Sequence, residues 1–180
     1  MLKDKKITIC ITGGISAYKS ASLVSFLVKG GAKVQVIMTK HATEFITPLT
    51  LQTLSKNKVI VDMFDELSPE YVGHIHFSQD IDLIVVVPAT ANILGKVANG
   101  IADDMVSSTI IASTKPVLFA PAMNEHMYKN KIVQSNIEKL KEYGYEFIGP
   151  AEGYLACGTI GIGKLANIKT ITKEIERILE

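Results

Sequence analysis

The stretch Leu155-Ala156-Cys157-Gly158-Thr159-Ile160-Gly161-Ile162-Gly163-Lys164 sets one cysteine among three glycines. It has neither helical nor strand periodicity. Glycine at that density lets backbone approach a ligand closely and adopt positive φ angles, at a cost in conformational entropy. The chain has two cysteines, Cys10 and Cys157, and one of them in this setting reads as a presented thiol. The plainer alternative is a surface loop that happens to contain a cysteine.

The histidines are His41, His74, His76 and His126. His74-Ile75-His76 could put two imidazoles on one face of an extended segment. Neither paired cysteines nor an acidic cluster completes a ligand set at a recognisable spacing, so no metal centre is expected. His74 becomes a candidate acid or base only if a partner ligand shares its crevice. Asn124 follows a Pro-Ala-Met that closes a strand, where its amide would point into the crevice and could bind a carboxylate. Asp103-Asp104 opens a helix and could be plain dipole complementation. Met123 and Met127 read as core filler.

These groups depend on elements to position them. Lys6 to Thr12 is a β-branched run ending in Gly13-Gly14, and Ala17, Leu23, Val24, Leu27 and Val28 then recur at helical spacing up to Gly30-Gly31. Lys33 to Met38 is the next strand. A helical stretch around Thr47 to Ser55 and a short strand candidate at Val59 to Val61 follow. Asp82 to Val87 is a continuous apolar run, typical of a central parallel strand, stopped by Pro88. Helices are expected from Ala89 to Asn99, Asp103 to Ala112, Lys131 to Tyr143 and Thr170 to Glu180. Strands are expected at Lys115 to Ala120 and Tyr145 to Ile148. This alternation predicts an α/β fold, a doubly wound parallel sheet forming a single domain over residues 1–180.

In such a sheet the carboxyl ends of the strands share one edge, and ligands sit in the crevice there. Three turns rich in small polar residues belong to that edge: Gly13-Gly14-Ile15-Ser16, Pro88-Ala89-Thr90-Ala91-Asn92 and Pro121-Ala122-Met123-Asn124. Helix N-termini placed there offer free N–H groups and a favourable dipole to a phosphate. Two stock phosphate motifs fail. Tyr18 stands where a P-loop needs the glycine before Lys19-Ser20, and the same turn lacks the G-x-G-x-x-G spacing. Met38-Thr39 closes the second strand without the carboxylate that an NAD site uses, which suits a ligand with no ribose diol to grip.

Composition narrows the partners. The 180 residues carry 19 basic and 18 acidic side chains, a net charge of +1, which marks neither nucleic acid nor membrane as a partner. Arg177 is the only arginine, so bidentate arginine clamps on phosphate are unavailable elsewhere. A hydrophobic share of 47% points to a compact fold, and the apolar runs are too short for a membrane span. Two cysteines build no disulfide framework and no secretory signal precedes the first strand, so a cytoplasmic protein is expected.

Taken together, the turns resemble the flavin-dependent cysteine decarboxylases, a family that binds FMN. The family's Pro-Ala-Ser-Ala-Asn-Thr motif appears as Pro88-Ala89-Thr90-Ala91-Asn92-Ile93. Its Pro-x-Met-Asn-x-x-Met-Trp motif appears as Pro121-Ala122-Met123-Asn124-Glu125-His126-Met127-Tyr128, and its His with a following apolar residue as His74-Ile75. The opening Gly13-Gly14-Ile15-Ser16-Ala17-Tyr18-Lys19 and the Ala156-Cys157-Gly158 segment are similar to the branch acting in coenzyme A synthesis. The departures are Thr90 for serine, Ile93 for threonine, Tyr128 for tryptophan, and Lys164 where arginine is common.

The resemblance implies a Rossmann-like flavoprotein with FMN as cofactor and residues 145–165 as a substrate lid. It implies decarboxylation of 4′-phosphopantothenoylcysteine to 4′-phosphopantetheine. A thiol-bearing carbon is no electron sink, so the substrate is first oxidised to a thioaldehyde, then loses CO₂, and is finally reduced again. By the same resemblance His74 assists the oxidation and decarboxylation stage, Asn124 holds the substrate carboxylate, and Cys157 donates the proton of the last step. FMN contacts are expected at Gly14, Ile15, Ser16, Thr39, Thr90, Ala91, Asn92 and Ser107, and substrate contacts at Asn124, Met127 and Lys164. A homotrimer, or an assembly of trimers, is implied. Two other flavoprotein activities share the fold: decarboxylation of a peptide's C-terminal cysteine in antibiotic maturation, and flavin prenyl transfer. A non-catalytic regulatory flavoprotein subunit is the third alternative. The Cys157 segment separates full reduction from release of an enethiol by a peptide-modifying enzyme.

Overall fold

A computed structural model of the chain describes residues 2–63, 80–156 and 158–180. Along β1 (Lys6–Ile11), Ile7, Ile9 and Ile11 enter one core layer and Cys10 the other, so the strand is apolar on both faces. It lies between β2 (Lys33–Met38) and β3 (Leu83–Ala89), followed outward by β4 (Val117–Pro121) and β5 (Glu146–Phe147). All pairings in this five-stranded sheet are parallel, in the order β2-β1-β3-β4-β5. The chain moves outward from β1 to β2, then crosses back to β3 on the far side of β1. That reversal opens a crevice beyond the carboxyl ends of β1 and β3.

Helices cover both faces. On one, α1 (Ser20–Lys29) and α2 (Pro48–Ser55) bury Leu23, Leu27 and Leu51 against Ile9, Val36 and Val85. On the other, α3 (Ala91–Ala98) and α4 (Met105–Ala112) bury Ile93, Val97 and Ile110 against Cys10, Ile84, Val86 and Phe119. A short helix α5 (Glu125–Lys129) leads into α6 (Lys131–Glu142), which packs on α3. The last helix, α7 (Ile168–Leu179), returns to the first layer through Ile171 and Ile175. Among the described residues, no helix is long and apolar enough to cross a membrane. The doubly wound α/β architecture expected from the alternating runs is the one observed.

Several local expectations change. Pro88 does not stop β3: the strand runs on to Ala89 through a register shift between Val86 and Ala89. Before the shift Leu83, Val85 and Val87 face one layer; after it Ala89 faces the other. A bulge of this kind re-aims the residues that follow, here the Thr90 turn. The strand expected at Val59 to Val61 is reduced to one bridge, Ile37 with Ile60, on the outer edge of β2. The turn after β1 enters its helix through a 3-10 segment, Ile15–Lys19. The glycine-rich stretch near Cys157 contributes β7 (Ile160–Lys164), paired antiparallel with β6 (Ala151–Tyr154) in a separate two-stranded sheet. Strand periodicity is invisible there because Gly153, Gly161 and Gly163 have no side chains to display it.

Candidate active site

The three polar turns converge. Buried hydroxyls tie the first two together at the crevice, where Ser20 donates to the Val87 carbonyl at 2.7 Å and Thr12 to the Pro88 carbonyl at 2.6 Å. The Ala122 N–H joins the third by donating to the Ala89 carbonyl at 3.1 Å. The Thr90 N–H donates back to Thr12 Oγ1 at 3.2 Å. Thr90 Oγ1 also accepts from the Ile93 N–H at 3.4 Å, capping α3, a contact worth about 1 kcal/mol. Thr39 accepts from the Ala42 N–H at the end of β2. Asn124 Oδ1 accepts from the N–H groups of His126 at 2.8 Å and Met127 at 3.4 Å, which caps α5.

These turns line one cleft of about 780 Å³, together with Leu155, Ala156 and Lys164 from the β6–β7 hairpin. Gly14, Ile15, Ser16, Thr39, Thr90, Ala91, Asn92, Asn124, Met127 and Lys164 all stand in its wall. Met127 is 48% exposed, so it faces the cleft and not the core. Ser107 is placed elsewhere. It is fully buried in the first turn of α4, where it and Asp104 close a reciprocal capping box. His74, His76 and Cys157 lie outside the described residues.

The cleft also holds groups that the motifs do not single out: Tyr18, Lys19, His41, Lys96 and Asp104. Lys96 Nζ donates to Asp103 Oδ1 and Asp104 Oδ2, each at 2.7 Å. Burial works against the Lys96 ammonium, but the two carboxylates outweigh it and hold its pKa above the usual lysine value. Burial likewise pushes Asp104 up, and the hydrogen bonds from Lys96 and the Ser107 amide bring it below the usual carboxylate range. Below them, burial pushes the Cys10 thiol far up, and the Asp104 carboxylate adds to this. Cys10 is therefore an inert core residue. Asn92 and Lys96 both line the cleft and are four residues apart, one face of α3; that spacing, with Asp103-Asp104 downstream, is the signal that could have found Lys96.

A family model described as Flavoprotein matches residues 1–180. The chain belongs to the flavoprotein family. This flavoprotein is 50% identical over 177 residues to the coenzyme A biosynthesis bifunctional protein CoaBC of Bacillus subtilis, covering 98% of this chain and 44% of that protein. The chain thus spans about half the length of the first curated relatives it matches. It is 46% identical over 177 residues to the "Probable phosphopantothenoylcysteine decarboxylase" of Streptococcus mutans, covering 97% of this chain and 99% of that one. Among solved structures, the FMN-dependent cysteine decarboxylase SpaF superposes with a TM-score of 0.86 at 27% identity, covering 100% of both chains. A cysteine-to-serine mutant of PPC decarboxylase, complexed with pantothenoylaminoethenethiol, gives 0.85 at 29% identity, covering 97% of this flavoprotein and 98% of that chain.

Proposed function

We propose that this flavoprotein binds FMN and decarboxylates 4′-phosphopantothenoylcysteine to 4′-phosphopantetheine, a step of coenzyme A synthesis. The observation that carries the reading is a single cleft in which the Gly14–Ser16, Thr90–Asn92 and Asn124 turns meet the Leu155–Ala156 hairpin wall. The relatives from Bacillus subtilis and Streptococcus mutans support it by name and by identity along nearly the whole chain.

The donors suit FMN. Ser16, Thr39 and Thr90 line the cleft beside Gly14 and Ile15 at a helix start, an arrangement that receives a phosphomonoester. About 780 Å³ accommodates a flavin and leaves room for a thiol substrate. The end of β2 offers Thr39 in place of a carboxylate, which suits a mononucleotide with a ribityl chain. When bound, FMN supplies a reversible two-electron sink, so that the substrate's CH₂–S carbon can be oxidised before CO₂ leaves and reduced afterwards.

The protein's own groups then orient substrate and move protons. Asn124, in the cleft wall, holds the departing carboxylate through its amide. Met127 supplies apolar wall, and the Lys164 ammonium holds the substrate phosphate as a point charge. Lys96 is already committed to two carboxylates and is not that group. His74 assists the first stage and Cys157 gives the proton of the last. The segment of residues 145–165, whose β6–β7 hairpin walls the cleft, acts as the substrate lid, FMN sits near a subunit boundary of a homotrimer, and the protein works in the cytoplasm. The exposed apolar side chains Ile15, Tyr18 and Tyr154 at the cleft mouth support a subunit boundary there.

The test compares two thiols. Purified protein with added FMN is incubated with 4′-phosphopantothenoylcysteine or with a peptide ending in cysteine, and the products are resolved by mass spectrometry. Saturated phosphopantetheine from the first and no reaction with the second is expected. An enethiol formed from the peptide, with the first substrate untouched, would replace this reading with peptide modification.

A further inference from the structure

The hairpin wall and the Asn124 turn are joined through one carboxylate that no motif assigns. Glu125 opens α5 directly after Asn124. Its carboxylate accepts from Lys129 Nζ at 2.7 Å on its own helix and from the backbone N–H of Ile162 on β7. Around that bond β7 lies close against the Glu125 side chain and the Met123 backbone. A Cβ at Gly161 would stand 2.6 Å from Glu125 Cδ, and one at Gly163 would overlap the Met123 carbonyl oxygen. The Met123 N–H donates to the Gly163 carbonyl at 2.9 Å. Met123 and Glu125, flanking Asn124, thus hold three consecutive residues of β7.

The placement matters because each partner carries cleft wall. Asn124 and Met127 stand on the α5 side; Leu155, Ala156 and Lys164 stand on the hairpin side. The hairpin belongs to a sheet of two strands, separate from the five-stranded one, so no ladder of the main sheet fixes it. Its base is set by buried Leu165 and Ala166, and its body by this contact.

We propose that Glu125 is a positioning residue: it latches β7 onto α5 and so fixes the hairpin wall, with Lys164, relative to Asn124. This rests on the reading of the cleft as a decarboxylase site. The ion pair with Lys129 is exposed and adds little, whereas the hydrogen bond to Ile162 joins the two elements. An amide at position 125 can accept that hydrogen bond equally well. A methyl group cannot.

The FMN-loaded enzyme is tested as wild type, Glu125→Ala, Glu125→Gln and Gly161→Ala. Gly161→Ala pushes β7 away from the other side and serves if Glu125→Ala fails to fold. Hydrogen exchange at residues 160–164 reads the latch, and the KM against kcat split reads its consequence. Glu125→Ala and Gly161→Ala should each raise Ile162 exchange and KM by about tenfold with kcat nearly kept, the size expected for losing one hydrogen bond. Glu125→Gln should stay near wild type in both. Unchanged exchange in Glu125→Ala overturns the latch, and raised exchange with unchanged KM overturns the positioning role. A wild-type enzyme that turns nothing over defeats the decarboxylase reading instead, and with it the positioning role, while Ile162 exchange still decides the latch.

Discussion

At the level of single residues, some groups are placed to act and others hold them in place. Asn124 is proposed to do both: its oxygen caps α5, and the residue stands in the cleft wall. Asn124→Asp keeps the cap, because aspartate caps as well as asparagine, but sets a negative charge against the substrate carboxylate. Thermal stability should stay within about 0.5 kcal/mol while kcat/KM falls by about a hundredfold or more, as expected when a charge-assisted contact becomes repulsive. Equal activity of Asn124→Asp and wild type would remove the carboxylate role. Cys157→Ser should still release CO₂ but accumulate an oxidised, enethiol product, detectable by mass spectrometry; normal product would remove Cys157 from the last step. Lys96 and Asp104 set a pH window. Asp104 has a depressed folded pKa, so its contribution is present above the ordinary carboxylate value and is lost as pH falls through the folded one. Lys96 has a raised pKa, so its contribution is present below the ordinary lysine value and is lost as pH rises through the folded one. The stability gap between wild type and Asp104→Asn should therefore be full near neutrality and close in acid, below about pH 4. A gap that persists in denaturation curves at low pH would show that the charge pair is not its source.

At the scale of elements, what the sequence discloses follows how side chains report on backbone. The runs of β1, β2 and β3 are legible because buried parallel strands are apolar on both faces, and α1 because Leu23, Val24 and Leu27 fall on one side. The β6–β7 hairpin is not legible, because the glycines that let it lie against Met123 and Glu125 erase the alternation that marks a strand. Pro88 reads as a stop from its chemistry, yet the bulge lets β3 pass it and delivers Thr90 to the crevice. Ser107 is a ligand contact only by the family resemblance, and in the structure its hydroxyl bonds to Asp104. The turns at Gly14, Thr90 and Asn124 are legible as a shared edge; Lys96 and His41 join them only through packing. The close approach of the hairpin makes its own prediction. Gly163→Ala would force β7 off the Met123 carbonyl at a position with φ of 138°, and should cost about 1–3 kcal/mol in denaturant unfolding. A neutral result would mean that the hairpin is not docked as described.

At the scale of the whole molecule, fold and cofactor are coupled. The crevice exists because the winding reverses at β1, and hydroxyls of Thr12 and Ser20 hold the Gly14 and Thr90 turns that rim it. A ligand that bridges the Gly14 and Thr90 turns therefore adds to stability. FMN at about a hundredfold excess over its Kd should raise Tm by roughly 5–10 °C, and riboflavin, which lacks the phosphate, by much less. Equal shifts with both would move the phosphate away from the Gly14–Ser16 turn. The proposed activity is decarboxylation of a phosphorylated cysteine conjugate in this cleft, with return of a saturated thiol. The most direct measurement follows CO₂ release and product mass together, with FMN-loaded protein and 4′-phosphopantothenoylcysteine. The account predicts equal amounts of CO₂ and phosphopantetheine, with oxidised FMN regenerated at each turnover. FMN bound in the cleft with no CO₂ released from this substrate would contradict it.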